Sequence, residues 1–403
     1  MQRLKQIIKR NNTISKFAED IIDYTSWFYD NTIDRLFWYI FCISPIKDNK
    51  IVICNYFGRG FSDNAKYIVE ELLKSNKNYD VVWLVNELET RECFPSGIRL
   101  VKHKSIKAIY EYVTAKVWID NSRKNHYARK RKKQLYIQTW HGGIALKKVE
   151  KDAEKSLPKS YIKFAKNDSK NADLFISNST FNTKMYKNAF WYEGEILECG
   201  VPRNDLLFND VEKTIKKVKE SLNIDDNKKI VMYAPTFRKD YNIEVYKFNY
   251  EKCIKAFEDR FNDEFVILIR LHPNVFDKST ELNLDSEKVI NASFYPDMQE
   301  LLVASDILVT DYSSSMFDFM LTRKPCLIYA SDINEYADDR GFYFDINKLP
   351  PIVSDSEEEF IKNIKNFDEK TYLNAVEKFI EEQGCIDDGT SSQQVVKWIE
   401  KNM

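Results

Sequence analysis

The chain is poor in the residues from which compact sites are commonly built. Of its 403 residues only four are histidine, ten glycine and ten proline, and its seven cysteines stand apart at 42, 54, 93, 199, 253, 326 and 385. With an odd thiol count and no Cys-x-x-Cys pair, neither a disulfide framework nor a zinc knuckle is indicated. A reducing compartment fits, with most cysteines as small core residues. No two histidines have metal-ligand spacing, and no metal site is expected. Charge of one sign is missing too, since 61 Lys and Arg nearly offset 62 Asp and Glu, so no overall field recruits nucleic acid. Long apolar runs are absent. Leu36 to Ile43 is too short to cross roughly 30 Å of hydrocarbon. It is no secretory signal either, because Asp20, Asp23, Asp30 and Asp34 precede it and no small-residue cleavage site follows. The chain is expected to stay in the cytoplasm.

Two nucleotide signatures are lacking as well. Phe57-Gly58-Arg59-Gly60-Phe61-Ser62-Asp63-Asn64 has Asp63 where the third glycine of the dinucleotide fingerprint belongs, which argues against a nicotinamide site. No Gly-x-x-x-x-Gly-Lys-Ser/Thr occurs, which argues against a Walker-type ATPase.

What is present supports packed cores: 43% hydrophobic and 14% aromatic residues, over a length sufficient for two domains and an appendage. Residues 1 to about 46 read as helical, with Arg3, Lys5, Lys9, Arg10 and Lys16 followed by Trp27, Phe28, Phe37, Trp38 and Phe41. Such a segment suits an anionic membrane surface or packing on the body of the protein. From Ile51 strands and helices alternate. Strands are expected at 51–56, 81–85, 116–119, 135–139, 174–177 and 196–199, and helices at 64–73 and 106–114. Gly200-Val201-Pro202-Arg203-Asn204-Asp205 breaks the rhythm and a charged helix follows at 211–222. A second unit then begins, with strands at 229–234, 265–271, 307–310 and 326–329. The β-α-β rhythm implies α/β units with mostly parallel sheets covered on both faces, and ligands at the strand carboxyl ends. Lys124, Arg129, Lys130, Arg131, Lys132 and Lys133 read as a solvated basic face.

Several candidate functional groups fall at strand tips. Ser313, Ser314 and Ser315 lie between the strand ending at Thr310 and the helix opening at Met316. Unpaired N–H groups and hydroxyls there make a phosphate seat, with simple capping as the ordinary alternative. Asp311 is either a backbone cap or a donor-site residue. Trp140-His141-Gly142-Gly143 places an imidazole between a strand and close-approaching backbone, suited to taking a proton from a hydroxyl. In Arg270-Leu271-His272-Pro273-Asn274 the proline holds His272 at a strand end, where it can serve a phosphate oxygen. Arg238, after Ala234-Pro235-Thr236-Phe237, suits a phosphate or a structural ion pair. His103 and His126 read as surface residues.

Taken together the chain resembles the CDP-glycerol glycerophosphotransferase family, whose members prime or polymerise teichoic acids and related capsular polymers. In order, the matching segments are Ser-Asp-Asn at 62–64, Ile-Asp-Asn-Ser-Arg at 119–123, Gln-Thr-Trp-His-Gly at 138–142, Leu-Lys-Lys at 146–148 and Gly-Val-Pro-Arg-Asn-Asp at 200–205. Tyr-Ala-Pro-Thr-Phe-Arg at 233–238, Arg-Leu-His-Pro at 270–273, Thr-Asp-Tyr-Ser-Ser at 310–314 and Arg-Gly-Phe-Tyr-Phe-Asp at 340–345 complete the set. One departure is that the family usually continues His-Gly-Thr-Pro-Leu-Lys, whereas Gly143, Ile144 and Ala145 stand here.

The resemblance implies a GT-B-like fold of two Rossmann-like lobes with a central cleft. The expected division is an N-terminal helical segment (1–48), an acceptor-side lobe (49–205) and a CDP-donor lobe with closing helices (206–403). It implies transfer of a polyol phosphate, foremost glycerol phosphate, from a CDP-polyol to a hydroxyl of a membrane-linked glycan or teichoic-acid-like acceptor, releasing CMP. In that scheme His141 is the base, and His272, Arg238, Arg270, Thr310, Asp311, Ser313, Ser314 and Ser315 serve the donor. Ser62, Asp63, Asn64, Asp120, Arg123, Lys147, Lys148 and Arg203 lie on the acceptor side. No tightly bound cofactor is expected, and any Mg²⁺ would arrive loosely held on the donor diphosphate. The enzyme is expected on the inner face of the cell membrane. The chain lacks the accessory N-terminal domain of some polymerases, which keeps a single-addition or capsule-type enzyme among the expectations. A UDP-sugar glycosyltransferase or epimerase, and a non-catalytic membrane-associated binding protein, are the alternatives.

Overall fold

A computed structural model describes residues 32–403 apart from 76, 125–127, 239–243, 273–274, 276–285, 334–335 and 337–340. The expectations for residues 1–31 and for His126 lie outside the described residues. The chain forms two compact units. Among the described residues, one takes in those of Met1–Gly60, Asn76–Ile137 and Asn402–Met403, and the other those of Phe61–Ser75 and Gln138–Lys401.

In the first unit the strands β1 (Lys47–Cys54), β2 (Asp80–Val85), β3 (Ile98–Lys102), β4 (Ala115–Asp120) and β5 (Leu135–Gln138) lie in the order β3-β2-β1-β4-β5. The pairs β2–β3, β1–β2 and β1–β4 are parallel. Ile51, Val52 and Ile53 of β1 and Val81 to Leu84 of β2 have no exposure, as expected of strands buried on both faces. The helix Asp34–Phe41 packs Trp38 edge-on to Trp118, at 5.7 Å between centroids, and Phe41 edge-on to Tyr110 at 5.4 Å. Trp38 and Phe41 thus pack on the body, while Leu36, Tyr39 and Ile40, with Ile43 beyond, remain exposed.

β3 was not expected from the sequence. It is a short strand at the end of the order, and Arg99 on it donates to Asp80 Oδ1 at 2.6 Å and Glu111 Oε1 at 3.0 Å.

Two surface expectations are corrected here. His103 is only 4% exposed. It follows β3 and packs against Gly58, where φ is +91° and an added Cβ would lie 2.9 Å from His103 Cβ. Lys124 is likewise buried, ion-paired with Asp120 and placed 3.8 Å from the Tyr112 ring centroid, so the pair and the aromatic face replace water. Arg129, Lys132 and Lys133 are exposed as expected.

In the second unit β6 (Leu174–Ser177) and β7 (Glu195–Glu198) pair in parallel. A six-stranded parallel sheet follows, made of β8 (Lys229–Ala234), β9 (Phe265–Ile269), β10 (Val289–Asn291), β11 (Ile307–Thr310), β12 (Cys326–Tyr329) and β13 (Ile352–Ser354). Their order is β10-β9-β8-β11-β12-β13. Reversal of strand order beside β8 and β11 is the topological position at which α/β sheets open a ligand crevice. The tips of β5, β8, β9 and β11 carry the motif residues.

Four of the seven cysteines, at 54, 199, 253 and 326, are buried, and all seven are free thiols.

Candidate active site

A cavity of about 530 Å³ in the second unit is lined by His141, Lys147, His272, Ser313 and Ser314, five of the residues singled out in the sequence. Each arrives by its own local logic. After β5 the chain turns sharply, with Trp140 at φ +53°, a left-handed conformation uncommon for a bulky side chain. The turn is pinned: Trp140 N donates to Gln138 Oε1 at 3.0 Å, and Asn64 Nδ2 donates to the Trp140 carbonyl at 3.2 Å. The Trp140 ring meets Phe190 edge-on at 4.8 Å and stacks on His141 at 4.4 Å, which fixes the direction of the imidazole. His272, just past β9, lies with its ring 5.6 Å from Phe237.

The serine turn after β11 is ordered from within, since the Ser313 and Ser315 hydroxyls lie 2.8 Å apart and Ser315 N donates to Ser313 Oγ at 3.3 Å. Ser315 therefore supports the turn whose Ser313 and Ser314 line the cavity.

Asp311 anchors that turn as a bracket. Its Oδ1 accepts from Thr236 N and Thr236 Oγ1, both at 2.8 Å, and from Tyr312 N at 2.6 Å. Its Oδ2 lies 2.9 Å from Arg238 Nη2. Arg238, expected toward a phosphate, is engaged elsewhere. It donates to Asp332 at 2.7 and 3.0 Å and to the Thr236 carbonyl at 2.7 Å, so the structural ion pair is what its environment provides. Burial alone would lower its pKa, but Asp332 and Asp311 outweigh that and raise it, so the guanidinium stays charged. Its carbon lies 5.0 and 4.8 Å from the Tyr312 and Tyr336 ring centroids, and those two rings stack at 3.7 Å. Lys147 donates to the Tyr336 hydroxyl.

Arg270 Nη1 reaches the carbonyls of Ala292, Ser293 and Tyr295 at 3.0, 2.5 and 2.6 Å, tying the chain after β10 to the tip of β9. Thr310 Oγ1 donates to the Ala234 carbonyl at 2.7 Å. Both brace the strand ends from which the cavity is made.

Of the expected acceptor-side residues, Asp63, Asn64 and Arg203 form a support for the His141 turn. Arg203 Nη1 donates to the His141 carbonyl at 2.9 Å and to Asp63 Oδ1 at 3.2 Å, and Nη2 donates to Asp318 Oδ2 at 2.7 Å. Ser62 occupies the N-cap position of the helix Asp63–Lys74 in extended conformation, with no side-chain capping hydrogen bond to that helix. Lys148 N donates to the Gly341 carbonyl at 2.9 Å. Asp120 and Arg123 belong to the first unit, where both are buried and Asp120 holds Lys124.

Sequence reasoning did not single out Tyr312, Thr236, Glu150 or Tyr161, all of which line the cavity. Tyr312 lay inside the Thr-Asp-Tyr-Ser-Ser segment and Thr236 inside Ala-Pro-Thr-Phe-Arg, so their strand-tip position was the available signal. Nor was Lys66 foreseen; it bridges Asp297 and Glu300 at 2.6 and 2.7 Å in a buried pairing.

Parallel sheets with strand-tip histidines and a serine turn define a GT-B-like α/β protein, and the fold agrees with solved structures. The wall teichoic acid polymerase TagF superposes with a TM-score of 0.80 at 29% identity, over 97% of this chain and 98% of that one. Residues 36–401 match the CDP-glycerol:poly(glycerophosphate) glycerophosphotransferase family, and the chain belongs to it. It is 34% identical over 405 residues to the teichoic acid glycerol-phosphate transferase of Staphylococcus aureus, covering 97% of this chain and 99% of that protein. To the teichoic acid poly(glycerol phosphate) polymerase of Staphylococcus epidermidis it is 32% identical over 373 residues, which cover 89% of this chain and 51% of that protein. The chain thus spans about half the length of this second relative. Among the described residues no helix is long and apolar enough to cross a membrane.

Proposed function

We propose that this protein transfers glycerol phosphate from CDP-glycerol to a hydroxyl of a teichoic-acid-type acceptor and releases CMP. The observation that carries the reading is the convergence of His141, His272 and the Ser313–Ser314 turn on one cavity. Membership of the family and the names of its relatives supply the donor and acceptor class. The acceptor oxygen attacks the phosphorus that bears the glycerol, His141 takes the hydroxyl proton, and the bond to the bridging oxygen of CMP breaks. His272 and the serine hydroxyls hold the charge that develops on the departing CMP. Arg238, Asp311, Arg270 and Thr310 act one step back, by holding the strand ends in place. In this reading residues 49–205 serve the acceptor and 206–403 the CDP moiety, a functional division rather than one of contact density.

The test is CMP release by the purified protein given CDP-glycerol and a glycerol phosphate oligomer, with CDP-ribitol and UDP-N-acetylglucosamine in parallel. His141→Ala should lower turnover about 10²- to 10⁴-fold, the usual share of a positioned base, and spare donor binding. Near-normal turnover by a folded His141→Ala protein would remove the base from His141. A response to the UDP-sugar alone would replace the phosphotransferase by a glycosyltransferase or epimerase. CDP-glycerol binding without CMP release from any acceptor would favour a non-catalytic binding protein.

The same reading puts the protein on the inner membrane face. Its support is the exposed apolar row Leu36, Tyr39, Ile40 and Ile43, spaced three and four residues apart. Charged replacements of Leu36, Ile40 and Ile43 should reduce sedimentation with anionic vesicles, and unchanged sedimentation would count against membrane contact through this face.

A further inference from the structure

Glu150 lines the same cavity as the two histidines, and among the described lining residues it is the one carboxylate. Its position is unusual in two respects. It is 4% exposed, and its φ is +53°, a left-handed conformation that glycine adopts freely and glutamate does not. It also accepts a short hydrogen bond, 2.5 Å, from the hydroxyl of Tyr161, a second lining residue, in the first turn of the helix Lys159–Asn171. A buried carboxylate in strained backbone is costly unless something offsets it. A structural role for the backbone alone would be met better by glycine.

We propose, on the polyol-phosphate transfer reading above, that Glu150 and Tyr161 form a subsite for the hydroxyls of the polyol. The chemistry selects this ligand. A carboxylate repels phosphate, so in a cavity whose histidines, lysine and serines suit anions it marks the part that does not receive the diphosphate. A carboxylate is an acceptor with room for about four hydrogen bonds, so it can serve several donors at once, a ligand hydroxyl among them. The phenol oxygen, whose O–H donates to Glu150, is itself a hydrogen-bond acceptor beside it. Two adjacent acceptors match two adjacent hydroxyls, the group that ends either the donor's glycerol or the acceptor chain.

Titration of the intact protein and its Glu150→Gly, Glu150→Gln and Tyr161→Phe variants with CDP-glycerol, CDP and a short glycerol phosphate oligomer separates these sources. Glu150→Gly should weaken a glycerol-bearing ligand about 10- to 100-fold, the range for a hydrogen bond to a charged group, with CDP unaffected. Loss toward CDP-glycerol assigns the subsite to the donor, and loss toward the oligomer assigns it to the acceptor. Its melting temperature should equal or exceed that of the parent protein, because glycine relieves the backbone. Glu150→Gln and Tyr161→Phe should give smaller losses in the same ligand and keep the proposal testable if Glu150→Gly folds poorly. Unchanged affinity of all three variants for both glycerol-bearing ligands would overturn the subsite, as would a parent protein that binds neither. A parent protein that binds CDP-glycerol selectively but never releases CMP would instead overturn the transferase reading and leave the subsite standing.

Discussion

The guanidinium of Arg203 donates to the backbone carbonyl of His141 at 2.9 Å, so the histidine at the cavity is held through its main chain by a residue that does not line that cavity. The same guanidinium bridges Asp63 and Asp318, with its side chain 11% exposed. One planar group with five donors thus ties a helix start, a turn and a second helix together.

Arg203→Ala should therefore cost both stability and rate. Removing the cation takes the guanidinium away from two buried carboxylates, a loss of about 3–5 kcal/mol. Arg203→Lys separates the effects, since an ammonium keeps the charge but cannot span three acceptors in different directions. It should melt closer to the parent yet turn over about 10²-fold more slowly, the scale of a displaced catalytic group. Calorimetry and CMP release measured on both variants check this, and parental turnover by Arg203→Lys would show that the His141 turn needs no such tether.

Asp311 offers a comparable test on the serine turn. Asp311→Asn keeps an oxygen for Thr236 and Tyr312 but turns the ion pair with Arg238 into an amide contact. The expected loss is about 1.5–3 kcal/mol, as for a hydrogen bond to a charged group. Because Tyr312, Ser313 and Ser314 follow directly, affinity for CDP should fall as well. Urea unfolding together with CDP titration would reveal it, and a variant weakened in only one of the two would disconnect the bracket from the site.

These contacts mark what could be read in the chain and what could not. Apolar runs with punctuating Gly and Pro placed β1, β2, β4, β5, β6, β7, β8, β9, β11 and β12 close to their observed positions, and with β5, β9 and β11 the strand-tip residues His141, His272 and Ser313. β3 escaped because Arg99 and Lys102 interrupt its apolar pattern, and its pairing partners lie elsewhere in the chain. β10 and β13 have three residues each, too few for a period to declare itself. Lys124 looked solvated because its charge was legible while Tyr112 and Asp120, which receive it, were not known to be neighbours. For the same reason Arg238 could be named as a site cation but not assigned to Asp311 and Asp332. Long-range partners of charged groups are a property of the packed chain.

The two glycines after His141 should behave differently. A Cβ on Gly142 would meet nothing within 4 Å, whereas on Gly143 it would lie 2.7 Å from Asn178 Nδ2. Asn178 cannot easily yield, as its Nδ2 donates to Asp387 Oδ2 at 2.9 Å and its Oδ1 accepts from Ser179 and Asn182. Gly142→Ala should therefore leave the melting temperature in place, while Gly143→Ala should lose about 1–3 kcal/mol, the usual cost of overpacking. The contact also gives a physical reason for glycine at 143, where the family usually has threonine. Equal melting temperatures for the two variants would mean that Asn178 gives way freely.

His103 makes stability depend on pH. Burial first, and then the positive charges of Lys104 and Lys124, push its imidazole down to about 4 in the folded chain. In the unfolded chain it titrates near its ordinary 6.5. Between those values the unfolded chain holds a proton that the folded chain does not, so stability rises with pH across this window. The contribution is complete above 6.5 and is lost as pH falls toward 4, by about 3 kcal/mol at most. Urea midpoints taken from pH 7 down to 4.5 should fall more steeply for the parent protein than for His103→Gln, which has no proton to gain. The two curves should converge as acid removes the advantage of the neutral imidazole. Parallel curves over the whole range would show that His103 is solvated well enough to titrate alike in both states, and that the close packing against Gly58 does not exclude the proton.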